Sequence, residues 1–215
     1  MKKNKISKNW INKQKKDIFV KQSKLEGYKS RAVYKLKEIN EKFKILRNGM
    51  SVIDLGAAPG SWSQYLSKNI KNAKLLAIDL TDVEKIDGVK IITGDFTEEA
   101  SKKKIHEYFG RKIDVVVSDM AKNTTGNKDL DSINTGELCI DALLFSKTIL
   151  NTKGVFISKI FMGSTFKEII DSAKDIFKEV NIYKPSASRK DSKENYIICK
   201  FLKFSNFSFF DKHDT

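Results

Sequence analysis

The stretch VIDLGAAPGSWSQYL, Val52 to Leu66, decides the fold. A β-branched apolar run reaches Asp54, passes through a loop bounded by Gly56 and Gly60, and opens into a helix. The two glycines let the chain turn tightly and approach a ligand closely, while Pro59 limits the loop's freedom. A dinucleotide site would show G-x-G-x-x-G, but here Ala57, Ala58 and Pro59 separate the glycines, and no G-K-[ST] follows at P-loop spacing. The loop therefore suits an adenosine-type ligand without a pyrophosphate better than NAD.

Outward from this unit, short β-branched runs alternate with helical stretches. SVIDLG (51–56), KLLAIDL (74–80), VKIITGD (89–95), IDVVVSDM (113–120) and GVFISKIF (154–161) are apolar on both faces, as strands of a parallel sheet covered by helices must be. Segments near 62–67, 101–108, 135–150 and 165–177 supply the crossovers. VNIYKP (180–185) and NYIICKF (195–201) have only nine residues between them, too few for a crossover helix, so the last strand is expected to run antiparallel. The expected fold is α/β and doubly wound, with a mostly parallel seven-stranded sheet and helices on both faces. A reversed strand begins where parallel strands end, which puts the loop SASRKDSKE (186–194) over the ligand-binding edge. Upstream, Ser30 is the expected N-cap of a helix with Ala32, Leu36, Ile39 and Phe43 at helical spacing, stopped by Asn48-Gly49.

The chain has 215 residues and a net charge of +14, yet residues 1–49 hold 16 of the 41 Lys+Arg and only 4 of the 27 Asp+Glu. Such a field attracts polyanions in a salt-dependent way, and nucleic acid is the favoured partner. A hydrophobic fraction of 40% supports one sizeable core and excludes a disordered polyelectrolyte. Cys139 and Cys199 sit in apolar runs without metal-like spacing, so neither a disulfide scaffold nor a metal site is expected. No run approaches 18 apolar residues, and the lysine-rich start lacks the apolar segment of a secretory signal; the expectation is a cytoplasmic protein without membrane contact. Residues 1–29 read as a basic extension, ordered through Lys24 only when a partner binds. Lys13, Lys15, Lys16, Lys21, Lys24, Lys29 and Arg31 are its candidate phosphate contacts, and Trp10 and Phe19 could stack on bases or dock onto the core. Residues 203–215 form a tail rich in phenylalanine (Phe204, Phe207, Phe209, Phe210) whose default is packing on the domain.

Charged residues collect at the expected strand ends. Asp79 lies 25 residues beyond Asp54, near the spacing at which a carboxylate meets ribose hydroxyls. Asp95 closes the third strand beside Phe96, suited to an adenine amine and ring. Asp119 ends the fourth strand, Lys159 nearly ends the fifth, Glu194 reaches the same edge from the last, and Lys35 sits on the preceding helix. Two lysines and two carboxylates suit proton abstraction from a weakly acidic hydroxyl, provided one lysine is held neutral for part of the cycle. Taken singly, each of these residues reads first as a cap, a turn residue or a surface ion pair.

In sequence, SRAVYKLKEI (30–39), VIDLGAAPGSWSQYL (52–66), GDF (94–96), SDMA (118–121), GVFISKIF (154–161) and KPSASRKDSKENY (184–196) carry a resemblance to the FtsJ/RrmJ family of ribosomal RNA 2'-O-methyltransferases, from about Lys24 to Leu202. The resemblance implies a Rossmann-like methyltransferase domain over 30–202, S-adenosylmethionine as cofactor, and Lys35, Asp119, Lys159 and Glu194 as catalytic residues, with Lys159 activating the ribose hydroxyl. It implies cofactor contacts at Gly56, Ala57, Pro59, Gly60, Trp62, Asp79, Leu80, Asp95, Phe96 and Asp119. The implied substrate is a uridine in the A-loop of large-subunit (23S) ribosomal RNA, met in the 50S subunit or a late precursor by a monomeric enzyme. Relatives acting on tRNA or mRNA caps are the alternative, and a non-catalytic RNA-binding assembly factor is the alternative of another class. The family usually reads SDMAPN; Lys122 replaces that proline, which should loosen the loop 121–131 without removing a reacting group.

Overall fold

The computed structural model describes residues 17–121, 128–189 and 192–203. Trp10, Lys13, Lys15, Lys16, Lys122 and the phenylalanine-rich tail lie outside the described residues. Seven strands form one sheet: β1 (Ser51–Leu55), β2 (Lys74–Asp79), β3 (Val89–Thr93), β4 (Ile113–Ser118), β5 (Leu150–Phe161), β6 (Phe177–Tyr183) and β7 (Glu194–Leu202), in the order β3-β2-β1-β4-β5-β7-β6. β1 pairs parallel with β2 and β4, β2 with β3 and β4 with β5, whereas β7 is antiparallel to both β5 and β6. The short link between the last two strands leaves no other solution.

Alternate residues of the central strands feed two cores. Ile53, Leu55, Ile113 and Val116 face α4 (Glu99–Phe109), α5 (Lys128–Ile149) and α6 (Phe166–Ile176). Val52, Val115, Val117 and Ile157 face α2 (Val33–Phe43) and α3 (Ser61–Asn69). Leu36 and Ile39 of α2 are fully buried, each worth about 1.5–3 kcal/mol relative to exposure, and they fix α2 across the sheet face that leads to the site. Among the described residues, no helix is long and apolar enough to cross a membrane.

The N-terminal region departs from its sequence reading in two respects. Ile18–Leu25 is a helix, α1, because Asp17 caps it, its Oδ1 accepting from the Phe19 and Val20 amides. Its Phe19 ring packs 5.4 Å from Tyr34, which is core docking rather than a platform for bases. Ser30 does not cap α2. Its hydroxyl is paired with that of Ser61 at 2.6 Å and accepts from the Ala32 amide, and α2 begins at Val33, ending where Lys44 turns left-handed at φ 50°.

Candidate active site

The glycine loop is suspended between β1 and β2. The amides of Gly56 and Ala57 donate to the Ile78 carbonyl at 2.9 and 3.1 Å, and the Ala58 amide donates to Asp79 Oδ2 at 2.9 Å. Gly56 has φ +68°, and a Cβ there would lie 2.0 Å from Met120 Cγ. Only glycine lets the backbone pass this close to the tip of β4. Gly60, at φ +104°, caps α3. Asp79 Oδ1 accepts from the amide and hydroxyl of Thr81, and Asp95 Oδ1 from those of Thr97. Asp95 Oδ2 is left without a partner among the described residues.

Asp54 lies beneath this loop, fully buried and accepting from Ser63 Oγ at 2.7 Å. Burial, with smaller repulsion from Asp119 and Asp79 and opposed by the Ser63 hydrogen bonds, pushes its carboxyl from the ordinary 3.8 up to about 7. The folded chain then holds a proton that the unfolded chain releases. Asp54's contribution to stability is complete below about pH 4 and is lost as pH rises through about 7. Asp54→Asn should therefore gain on wild type by about 1 kcal/mol per pH unit across that window and then level off. Urea unfolding of both proteins at pH 5, 6, 7 and 8 checks this; a pH-independent difference would contradict it.

Four charged side chains converge at the ends of β4 and β5. Lys159 Nζ donates to the Asp119 carbonyl at 2.6 Å and lies 3.0 Å from Asp119 Oδ1. Lys35 Nζ, projecting from α2, bridges Glu194 Oε2 at 2.9 Å and Asp119 Oδ2 at 3.5 Å. Register explains the meeting: Lys159 pairs with Tyr196 and Phe161 with Glu194 across β5 and β7, so Glu194 and Tyr196, two apart on one strand, present to the same face. Burial would raise the Asp119 carboxyl, but Lys159, then Lys35, and a hydrogen bond from Tyr196 hold it below the usual carboxylate range. Burial would lower the Lys35 ammonium, and the Asp119 and Glu194 charges outweigh it, leaving it raised.

Sequence reasoning passed over several residues here. Tyr196 is fully buried and its hydroxyl donates to Asp119 Oδ1 at 2.5 Å. Ser188 Oγ donates to Glu194 Oε1 at 2.7 Å. Glu38 accepts three hydrogen bonds, from the Ser186 amide and hydroxyl and the Ala187 amide, so the loop between β6 and β7 is pinned to α2. The signal available was the i, i+2 spacing of Glu194 and Tyr196.

Trp62 is buried, its indole donating to the Ala32 carbonyl at 2.8 Å and its ring 5.8 Å from Tyr196. It locks α3 to the start of α2. Phe96 is buried against Phe145 at 5.7 Å, and Leu80 is 71% exposed. Among the candidate phosphate contacts, Arg31 pairs with Asp17 and the Ala187 carbonyl under the Phe19 ring, and Lys29 pairs with Glu84 at 2.9 Å. Lys21 and Lys24 remain exposed.

The crevice thus offers a glycine loop, carboxylate oxygens at the ends of β2 and β3 and, among the described residues, no cationic cradle for a diphosphate. These acceptors fit the hydroxyls and amine of an adenosine. Such a sheet, loop and charged edge define an S-adenosylmethionine-dependent methyltransferase. A family model described as FtsJ-like methyltransferase matches residues 28–202, and the chain belongs to that family. It is 59% identical to the ribosomal RNA large subunit methyltransferase E of Pelagibacter ubique (strain HTCC1062), over 94% of this chain and 100% of the relative. The protein of the same name from Rickettsia akari (strain Hartford) is 45% identical over 89% of this chain and 87% of its own length. A Plasmodium falciparum crystal structure, described as a ribosomal RNA methyltransferase, superposes with a TM-score of 0.73 at 31% identity, covering 81% of this chain and 98% of that one.

Proposed function

We propose that this enzyme methylates the 2'-hydroxyl of a ribose in large-subunit ribosomal RNA, at a uridine of the A-loop, acting as a monomer on the 50S subunit or a late precursor. The observation that carries the reading is the convergence of Lys35, Asp119, Lys159 and Glu194 beside the Gly56 loop. The names of the similar proteins and the basic N-terminal region support RNA as the substrate.

S-adenosylmethionine, when bound, supplies a methyl group already activated by a sulfonium. The Gly56–Gly60 loop, Asp79 and Asp95 would hold it at the ends of β1 to β3. The protein's remaining tasks are to align the ribose and to handle one proton. Alignment is worth about 7–11 kcal/mol in favourable cases, whereas a positioned base contributes about 10² to 10⁴-fold, so orientation dominates.

Lys159 is the group assigned to the proton. As a neutral amine it keeps two N–H donors, and the Asp119 carbonyl and Oδ1 lie at 2.6 and 3.0 Å to receive them. Its lone pair then points away from both acceptors and is available to a hydroxyl proton. Asp119 orients the amine, Tyr196 orients Asp119, and Lys35 bridges the Asp119 and Glu194 carboxylates. Ser188 is a positioning residue for Glu194. In domain terms, we assign 30–202 to the methyltransferase unit, with α1 docked on it, and the rest of the basic extension to the RNA backbone.

The test is transfer of labelled methyl groups to 50S subunits and to naked RNA lacking the modification, followed by mapping. A 2'-O-methyluridine in the A-loop is expected. A methylated base atom, or a ribose in another RNA class, would overturn the reading.

A further inference from the structure

A cavity of about 470 Å³ adjoins the reacting cluster, lined by Ser30, Arg31, Lys35, Arg189, Ser192 and Glu194 with two alanines. Lys35 and Glu194 belong to both sites, so the cavity is contiguous with the place assigned to the ribose. Its charges do not balance. Glu194, its one carboxylate, is already bonded to Lys35 and Ser188. Arg31 is fixed by Asp17 and the Ala187 carbonyl. The Arg189 side chain has no carboxylate partner among the described residues.

We propose that this cavity seats a phosphodiester of the RNA next to the target ribose, with Arg189 as its main ligand, Ser192 as a further donor and Arg31 as a fixed cationic wall. The proposal rests on the ribose-methylation reading. The chemistry is specific to a phosphate: in RNA the group covalently adjacent to a ribose hydroxyl is a phosphodiester, and a guanidinium fork binds its two oxygens together. Electrostatics point the same way. Burial lowers the Arg31 guanidinium, Asp17 opposes this, and the charge of Arg189 lowers it further. Arg31 has Asp17 as its counter-charge, but the charges of Arg31 and Arg189 still disfavour each other, and an anion bound at Arg189 would offset that repulsion.

Arg189→Gln is expected to raise the RNA KM roughly tenfold at moderate salt, the loss typical of one charged hydrogen bond. The salt dependence of RNA affinity should become shallower by about 0.7–0.9 in log–log slope, the share of one phosphate contact. The change in kcat should be smaller than that in KM, and calorimetric S-adenosylmethionine affinity should match wild type. Arg189→Lys keeps the charge and should keep the slope while recovering only part of the affinity. An unchanged slope and KM in Arg189→Gln would overturn the proposal. So would inorganic phosphate that binds wild type and not Arg189→Gln while RNA affinity stays equal, since the site would then serve a free anion. A product mapped to a base atom would instead sink the underlying reading and leave the slope measurement interpretable.

Discussion

Lys159→Ala is expected to slow single-turnover methyl transfer by about 10² to 10⁴-fold at saturating RNA, the range for removing a positioned base, with S-adenosylmethionine affinity little altered. Truncation leaves Asp119 with Tyr196 at 2.5 Å and Lys35 at 3.5 Å, so the carboxylate stays charged and held. The deeper test is Lys159→Arg. Arginine restores a cation beside Asp119 but does not deprotonate in proteins, so it offers no lone pair. If Lys159 accepts the hydroxyl proton, Lys159→Arg should be about as slow as Lys159→Ala. If Lys159→Arg recovers most of the rate, the group works only as a fixed charge and the proton assignment fails. Rapid-quench measurements with pre-bound RNA separate this step from binding and release.

The sheet was legible because its constraint is local: strands covered on both faces must be apolar throughout, and the runs from Val52, Leu75, Val115 and Val155 show this directly. Even the position of Glu194 followed from counting, since nine residues between the last strands force one of them to reverse. What stayed illegible depended on partners far away in sequence. Asp17 reads as an unremarkable acid in a basic tail until Arg31 is folded against it. Arg31 reads as a free cation for RNA, and the sequence does not show that it is anchored by the Ala187 carbonyl, 156 positions away. Phe96 reads as a ring for the adenine and Trp62 as a cofactor contact, and the sequence does not show that their rings also pack on Phe145 and Tyr196. Buried aromatic area is worth more to the fold than a partly solvated contact at the rim.

Asp119→Asn is nearly isosteric and should still be among the most damaging single changes in the chain. The carboxylate receives Tyr196 and Lys159 on Oδ1 and Lys35 on Oδ2, three donors converging on a group with acceptors only. An amide offers one acceptor and one donor head. With its oxygen toward Tyr196 and Lys159, its NH₂ meets the Lys35 ammonium; flipped, it meets the other two donors. Neither arrangement satisfies the site, and two partly buried ammoniums lose their shared counter-charge. A loss of about 3 kcal/mol is expected, the low end for breaking a buried pair because the groups keep some contact with water. Turnover should fall at least as far as in Lys159→Ala, since the amine loses its orienting group. Lys35 keeps Glu194 at 2.9 Å, whereas Lys159 loses its carboxylate; adding Lys159→Met removes that stranded ammonium and should recover part of the stability with no recovery of activity, a non-additive cycle readable by urea unfolding. The pH dependence fixes the cause. Asp119 is held below the usual carboxylate range, so its contribution is present above about pH 4 and lost as pH falls through the depressed value. The stability gap between wild type and Asp119→Asn should hold constant from pH 8 to about 5 and close only in stronger acid; a gap that stays open once Asp119 is protonated would assign the damage to packing rather than to the lost charge.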